Sequence, residues 1–229
     1  MAIATGDQIL AADVNAVAML PESRLDISDD FITGSLTTGT VGALSWQFVG
    51  ISATQYSSFA NHPGIFGIST TAVPNNRAYL FHGATNKDLL RAADLWEKTF
   101  IIYAPLVTAV KFFFGAIDDI SAATTNQHKA GFEFNSATDA FWMMCTGSGA
   151  AETRTATNIA PVLMTFYKLK IKRIAGGFEF YIDDVLKGTV TLTLPANALT
   201  FGIQTETLDA ASKEIRVDFF HLKLPGITR

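Results

Sequence analysis

The chain has 229 residues, 48% hydrophobic and 17% charged, with 17 basic against 21 acidic residues and a net charge of −4. That length suits one large β domain, alone or with a short appendage, and a core of that size needs no disulfide or metal staple. A basic nucleic-acid surface is unsupported: the densest basic run, Lys168, Lys170, Lys172 and Arg173, alternates with Leu169 and Ile171 as the exposed face of a strand would.

A single cysteine, Cys145, rules out an internal disulfide and a thiolate metal cluster. Its place after Phe141, Trp142, Met143 and Met144 predicts a buried thiol. No apolar run reaches the ~18 residues of a membrane span. The opening MAIATGDQIL has neither the basic nor the apolar stretch of a secretory signal, so a cytoplasmic product without membrane insertion is expected. So apolar a composition also fits a chain that covers its surface with copies of itself, and a homo-oligomer is expected.

In chain order, residues 1–28 come first. Asp7 can cap a short helix, Ile9, Leu10, Val14 and Val17 form its apolar side, and Pro21 ends it. Such a helix is too short to stand alone. It docks on its own domain or on a neighbouring subunit, and its four apolar residues are the candidate assembly interface. Residues 29–229 form the main domain. The stretch 29–96 is rich in Gly, Ser and Thr, with apolar segments at 44–51 and 64–69 and a turn at Pro74, Asn75, Asn76 and Arg77. Residues 87–96 read as a short helix with Leu89, Leu90 and Ala93 on one face, or as a strand with a polar loop.

From residue 97 onward the strand pattern is clearer. Strands are predicted over 100–104, 110–116, 130–134, 141–145, 163–174, 178–182, 185–194, 200–204 and 214–224. Phe166, Leu169, Ile171 and Ile174 are the core candidates of the 163–174 strand. Asp183 and Asp184 make a hairpin turn. Spacing near ten residues with few helices argues for an all-β protein, an antiparallel β-sandwich or barrel. Consecutive Phe112, Phe113 and Phe114 point to both faces of a strand, so one face meets the core and the other a further layer or subunit.

The segment 167–194, YKLKIKRIAGGFEFYIDDVLKGTVTLTL, runs strand, Gly-Gly turn, strand, Asp-Asp turn, strand. It resembles the hairpins of concanavalin-A-like and laminin-G-like jelly rolls, with Asp184 where those have glycine. The closing IRVDFFHL resembles the terminal strand of the same fold. The resemblance implies a jelly-roll sandwich behind a short N-terminal helical or extended segment. The opening GDQILAADVNAV is similar to the start of tailed-phage tail or fibre proteins. So are the spaced residues Asp29, Asp30, Phe31, Gly34, Gly39, Gly42, Trp46 and Phe48, and the run from His62 to Ile65. That resemblance implies a non-enzymatic virion part: capsid decoration, head fibre or tail-associated subunit. Its expected partners are itself, as a trimer if fibre-like, other virion proteins, and a host surface glycan.

Catalytic signatures are sparse. Glycoside hydrolases need two carboxylates flanking the scissile bond, and the E-x-D-x-x-E string of jelly-roll hydrolases is missing; Glu133 stands alone between Phe132 and Phe134. No nucleophile elbow, Walker loop or H-E-x-x-H occurs, and no cofactor is expected. His62, His82, His128 and His221 lack partners at zinc spacing. Of the acidic pairs, Asp118 and Asp119 are the best candidates for calcium, with an ordinary turn as the alternative. The rival function is sugar binding, in which an exposed aromatic stacks on the ring and Asp, Asn or backbone groups add hydrogen bonds. Trp46 and Trp142 lie in apolar runs and read as core; Trp96, between Asp94 and Glu97, and Tyr103 are the candidate ligand-binding residues.

Overall fold

The structure is a computed structural model that describes residues 25–31, 34–35, 40–42, 44, 46–56, 62, 64–82 and 94–224. Ile9, Leu10, Val14 and Val17, and the 87–93 part of the possible second helix, lie outside the described residues. Among the described residues seventeen strands follow one another: β1 (Leu25–Asp29), β2 (Gly34–Ser35), β3 (Thr40–Val41), β4 (Trp46–Val49), β5 (Ser52–Tyr56) and β6 (Ile65–Ser69). Then come β7 (Arg77–Phe81), β8 (Glu97–Ala104), β9 (Val110–Ile117), β10 (His128–Asn135), β11 (Met143–Ser148) and β12 (Glu152–Ala156). The last five are β13 (Thr165–Ile174), β14 (Gly177–Ile182), β15 (Val185–Val190), β16 (Thr200–Thr207) and β17 (Glu214–Leu224).

They form two antiparallel sheets packed as a sandwich. Sheet one runs β15-β14-β13-β8-β17-β6-β5, with β1 also on β17. Sheet two runs β12-β11-β10-β9-β16-β7-β4-β3-β2. The fold is the expected all-β jelly-roll sandwich. Its first strand, Leu25–Asp29, pairs with β17, so residues 25–28 belong to the sheet rather than to a separate segment.

The period-2 pattern places the core. On β13, Tyr167, Leu169 and Ile171 face inward and are buried, while Lys168, Lys170 and Lys172 stand on the outer side. Phe166 is one residue out of phase with Leu169, so it lies on the outer side against Tyr103, and Ile174 at the strand end is only partly covered. Asp183 and Asp184 both have positive φ (51° and 62°), the hairpin geometry whose twist matches the flanking strands. Phe112 and Phe114 enter the main core, and Phe113 faces outward. Its cover is the chain's own segment 118–127, which runs back over sheet two, and not another subunit.

The strand directions give the sandwich two unlike ends. At one, β8, β10 and β16 finish and β9, β13 and β17 begin. The connections 50–51, 70–76, 105–109, 136–142, 157–164, 183–184 and 208–213 all gather there. At the other end, Leu25 pairs with Leu224.

Candidate functional site

The outer face of sheet two carries the chemistry. Alternation puts Lys111 of β9, Lys129 and Glu133 of β10, Cys145 of β11, Glu152 and Arg154 of β12, Arg77 of β7 and Glu206 of β16 on this one face. Glu206 is buried and takes Arg77 Nε at 2.6 Å and Lys111 Nζ at 2.5 Å. Lys129 is fully buried; its Nζ contacts Glu133 and lies 3.1 Å from Glu152. Arg154 Nε stands 3.3 Å from both Glu133 and Glu152, and its two terminal nitrogens grip Asp139 at 3.1 and 2.6 Å. Four cations thus meet four carboxylates.

The balance sets the charge states. Burial works against the Lys129 ammonium, but Glu133 and Glu152 more than offset it and raise its pKa. Burial and the neighbouring Glu133 push the Glu152 carboxyl up. Burial first, then Glu133, pushes the Cys145 thiol well up. Cys145 is the buried thiol expected, and its Sγ–H donates to Glu133 at 3.4 Å.

Beside this network the face is filled. Gly131, Gly115 and Gly202 stand in one row across β10, β9 and β16. A Cβ on Gly131 would lie 2.4 Å from the Phe113 ring, and one on Gly202 would lie 2.8 Å from Ile120. The bare row lets Phe113 and Ile120 lie flat on the sheet with Phe81 and Ile117, as a small second core. The Gln204 amide holds the 118–127 strap in place, donating to the Ile120 and Ala122 carbonyls at 2.5 and 2.9 Å. Between strap and network remains a hollow of about 180 Å³, lined by Ala123, Thr124 and Thr125 on one side and by Lys111, Glu133, Asn135, Glu152, Arg154 and Glu206 on the other.

Trp96 and Tyr103 are not brought together, and neither reaches this hollow. Trp96 is 1% exposed, its ring packed on Phe178 and Phe201 between the sheets. Its acidic neighbours suggested a surface position; strand phase decides otherwise. Tyr103 lies on the outer face of sheet one, 7% exposed, against Phe166 at 4.8 Å and Arg216 at 5.3 Å. Asp119 closes a local turn, accepting from Ser121 N at 2.9 Å and Ser121 Oγ at 2.6 Å. Asp118 Oδ2 accepts from Asn197 Nδ2 at 3.5 Å.

Among the described residues, the side-chain group tight enough to hold a metal is instead Glu133, Cys145 and Glu152, whose donor atoms lie within 4.8 Å of one another. The Lys129 ammonium already stands against both carboxylates. Sequence reasoning singled out Glu133 and Cys145 of this set, but not as neighbours, and passed over Glu152. The same-face spacing of Lys129 and Glu133, and of Glu152 and Arg154, was the available signal.

Residues 61–218 match the model of the SO2946-like C-terminal domain family. The chain belongs to that family. Its fold also matches a solved family structure, the protein of unknown function SO2946 from Shewanella oneidensis MR-1. The two are 15% identical with a TM-score of 0.66, over 99% of this chain and 100% of that one. Bacillus licheniformis β-glucanase shares the fold at 11% identity and TM-score 0.57, over 86% of this chain and 97% of its own. The carbohydrate recognition domain of Emp47p does so at 10% and 0.57, over 87% and 95%. No curated protein matches the sequence. At these identities the likeness to solved structures establishes the concanavalin-like jelly roll and nothing finer.

Proposed function

We propose that this domain is a non-catalytic recognition module of a virus particle, and that the hollow on sheet two takes one ring of a neutral host saccharide. One observation carries the non-catalytic part. Glu133 and Glu152 approach within 4.8 Å, near the roughly 5–5.5 Å between the carboxyl groups of retaining glycosidases. Yet Lys129 Nζ lies against both, where an acid and a nucleophile would need room for the glycosidic oxygen and the anomeric carbon.

The same pairing suits a polyol. A sugar hydroxyl donates and accepts at once, and each ion pair offers an acceptor beside a donor without net charge. Thr124 and Thr125 line the same hollow and bring further hydroxyl-bearing side chains to it. The glucanase and the carbohydrate recognition domain with this fold support a saccharide as the ligand class. The virion setting is supported by the likeness of GDQILAADVNAV to tail and fibre proteins and by the apolar composition.

The test is a panel of neutral oligosaccharides, read for binding by calorimetry and for hydrolysis by reducing-end release. Binding without hydrolysis, weakened at least roughly tenfold by Arg154→Met, is the expected result. Hydrolysis that disappears in Glu133→Gln or Glu152→Gln sinks the non-catalytic reading. Failure to bind any saccharide sinks the recognition reading. The particle setting is checked by mass spectrometry of virions purified from the host that carries the gene.

A further inference from the structure

Large exposed apolar side chains are not spread evenly over the sandwich. Among the described residues, ten such side chains stand in solvent. Only Leu95 and Leu192 belong to the end where Leu25 meets Leu224. The other eight, 44–67% exposed, cluster at the opposite end, where the connections gather. They occupy two corners. Val49, Ile51 and Val73 lie on the β4 and β5 side, and Val162, Leu163, Met164, Val185 and Leu186 on the β12 and β15 side. A run of three exposed apolar residues at a loop tip is unfavourable for a free surface.

The larger corner is held ready rather than loose. Met164 N donates to Ala104 O at 2.8 Å, and Val162 N donates to the Tyr167 hydroxyl at 2.6 Å. Three charge pairs nearby are spent internally, and the Asp183 carboxylate accepts from Lys168 N. Asp184 holds Lys168 at 2.9 Å, Asp209 holds Lys213 at 2.9 Å, and Asp139 holds Arg154. Among the described residues, these pairs leave no cluster of free cations at this corner to draw an anionic lipid surface. A neutral face with its charges paired internally is complementary to itself.

The area is also sufficient. Fully burying a Val, Leu or Met side chain removes on the order of 100 Å² from water. Eight such chains at about half exposure offer roughly 400 Å² per copy, or ~800 Å² across a pair. A standard interface of ~1,600 Å² is a little over half apolar, so it needs about that much.

We propose that this end is a self-association face. Two copies meet end to end about a two-fold axis, the Leu163 corner of each against the Val73 corner of the other. The interface is separate from the saccharide hollow and from the candidate interface in residues 1–28.

Light scattering on the full chain over a wide concentration range tests it. The wild type is expected at twice the 24.7 kDa chain mass. Leu163→Asp and Val73→Asp are each expected to raise the dimer dissociation constant roughly tenfold or more, whereas Leu192→Asp at the other end leaves it unchanged. A wild-type monomer throughout overturns the proposal. If that monomer sediments with phosphatidylcholine vesicles and Leu163→Asp does not, a lipid surface is the occupant instead. An oligomer of another size, or one indifferent to both substitutions, overturns it too. Should either aspartate variant misfold by circular dichroism, the double variant Leu163→Cys, Val73→Cys decides. Oxidation then gives a disulfide-linked dimer if the corners meet, and monomers if they do not.

Discussion

Among the described residues, two lysines lie wholly inside the protein, on opposite sides of sheet two. Lys98 projects from β8 into the main core, where its Nζ donates to the Gly115 carbonyl and lies 4.0 and 4.1 Å from the Phe100 and Phe201 ring centres. Burial drives its pKa well below the ordinary 10.5. Lys129 is equally covered, yet Glu133 and Glu152 drive its pKa upward. Equal burial therefore gives opposite electrostatics, because what decides is the presence of a counter-charge and not depth. Lys168 completes the series: it has a partner, Asp184, but stays in water, 42% exposed.

The largest break in this comparison comes from Lys129→Met. It leaves the buried Glu133 and the half-buried Glu152 with Arg154 as their one remaining cation among the described residues, and is expected to cost about 3 kcal/mol of unfolding free energy by urea titration. The loss should shrink as pH falls, since protonated carboxyls no longer need the ammonium. Lys98→Met is expected to act in the opposite direction. It removes an uncompensated buried amine and gains about 1 kcal/mol at neutral pH.

The sign of its pH dependence follows from linkage. Below its folded pKa, Lys98 is charged in both states and the full burial penalty applies. Between that pKa and 10.5 only the unfolded chain binds the proton, so wild-type stability climbs with pH. The advantage of Lys98→Met should thus fade as pH approaches 10.5; an advantage constant with pH would show that the amine carries no penalty. Lys168→Met should change stability by less than about 0.5 kcal/mol. A loss near that of Lys129→Met would mean that exposure does not weaken the pair.

Much of the fold could be read directly from local signals. The alternation of Lys168, Lys170 and Lys172 with Leu169 and Ile171 gives β13 and its faces, and Asp183-Asp184 gives the turn after β14. Phe166 misled because an aromatic suggests core, while phase assigned that place to Tyr167. Trp96 misled for the reverse reason: charged neighbours suggested solvent, although the strand had already begun to alternate. Strand β12 was missed altogether. Its ETRTA has no apolar alternation because it is an edge strand whose outer face carries Glu152 and Arg154. That omission concealed the ionic network. Its eight members come from five strands and a loop, and only the order of β12, β11, β10, β9, β16 and β7 in sheet two makes them neighbours.

The row of Gly131, Gly115 and Gly202 makes the strap a gauge of strand alignment. Three strands must stop at one level for the bare row to exist. A slip of β10 against β9 by a single residue would place Ala130 or Phe132 opposite Gly115, and its side chain would be on the other face. The seat for Phe113 and Ile120 would then be broken, and the Gln204 amide would lose its two carbonyls. The strap closes over this alignment of the strands, so its closure discriminates against mispaired sheets.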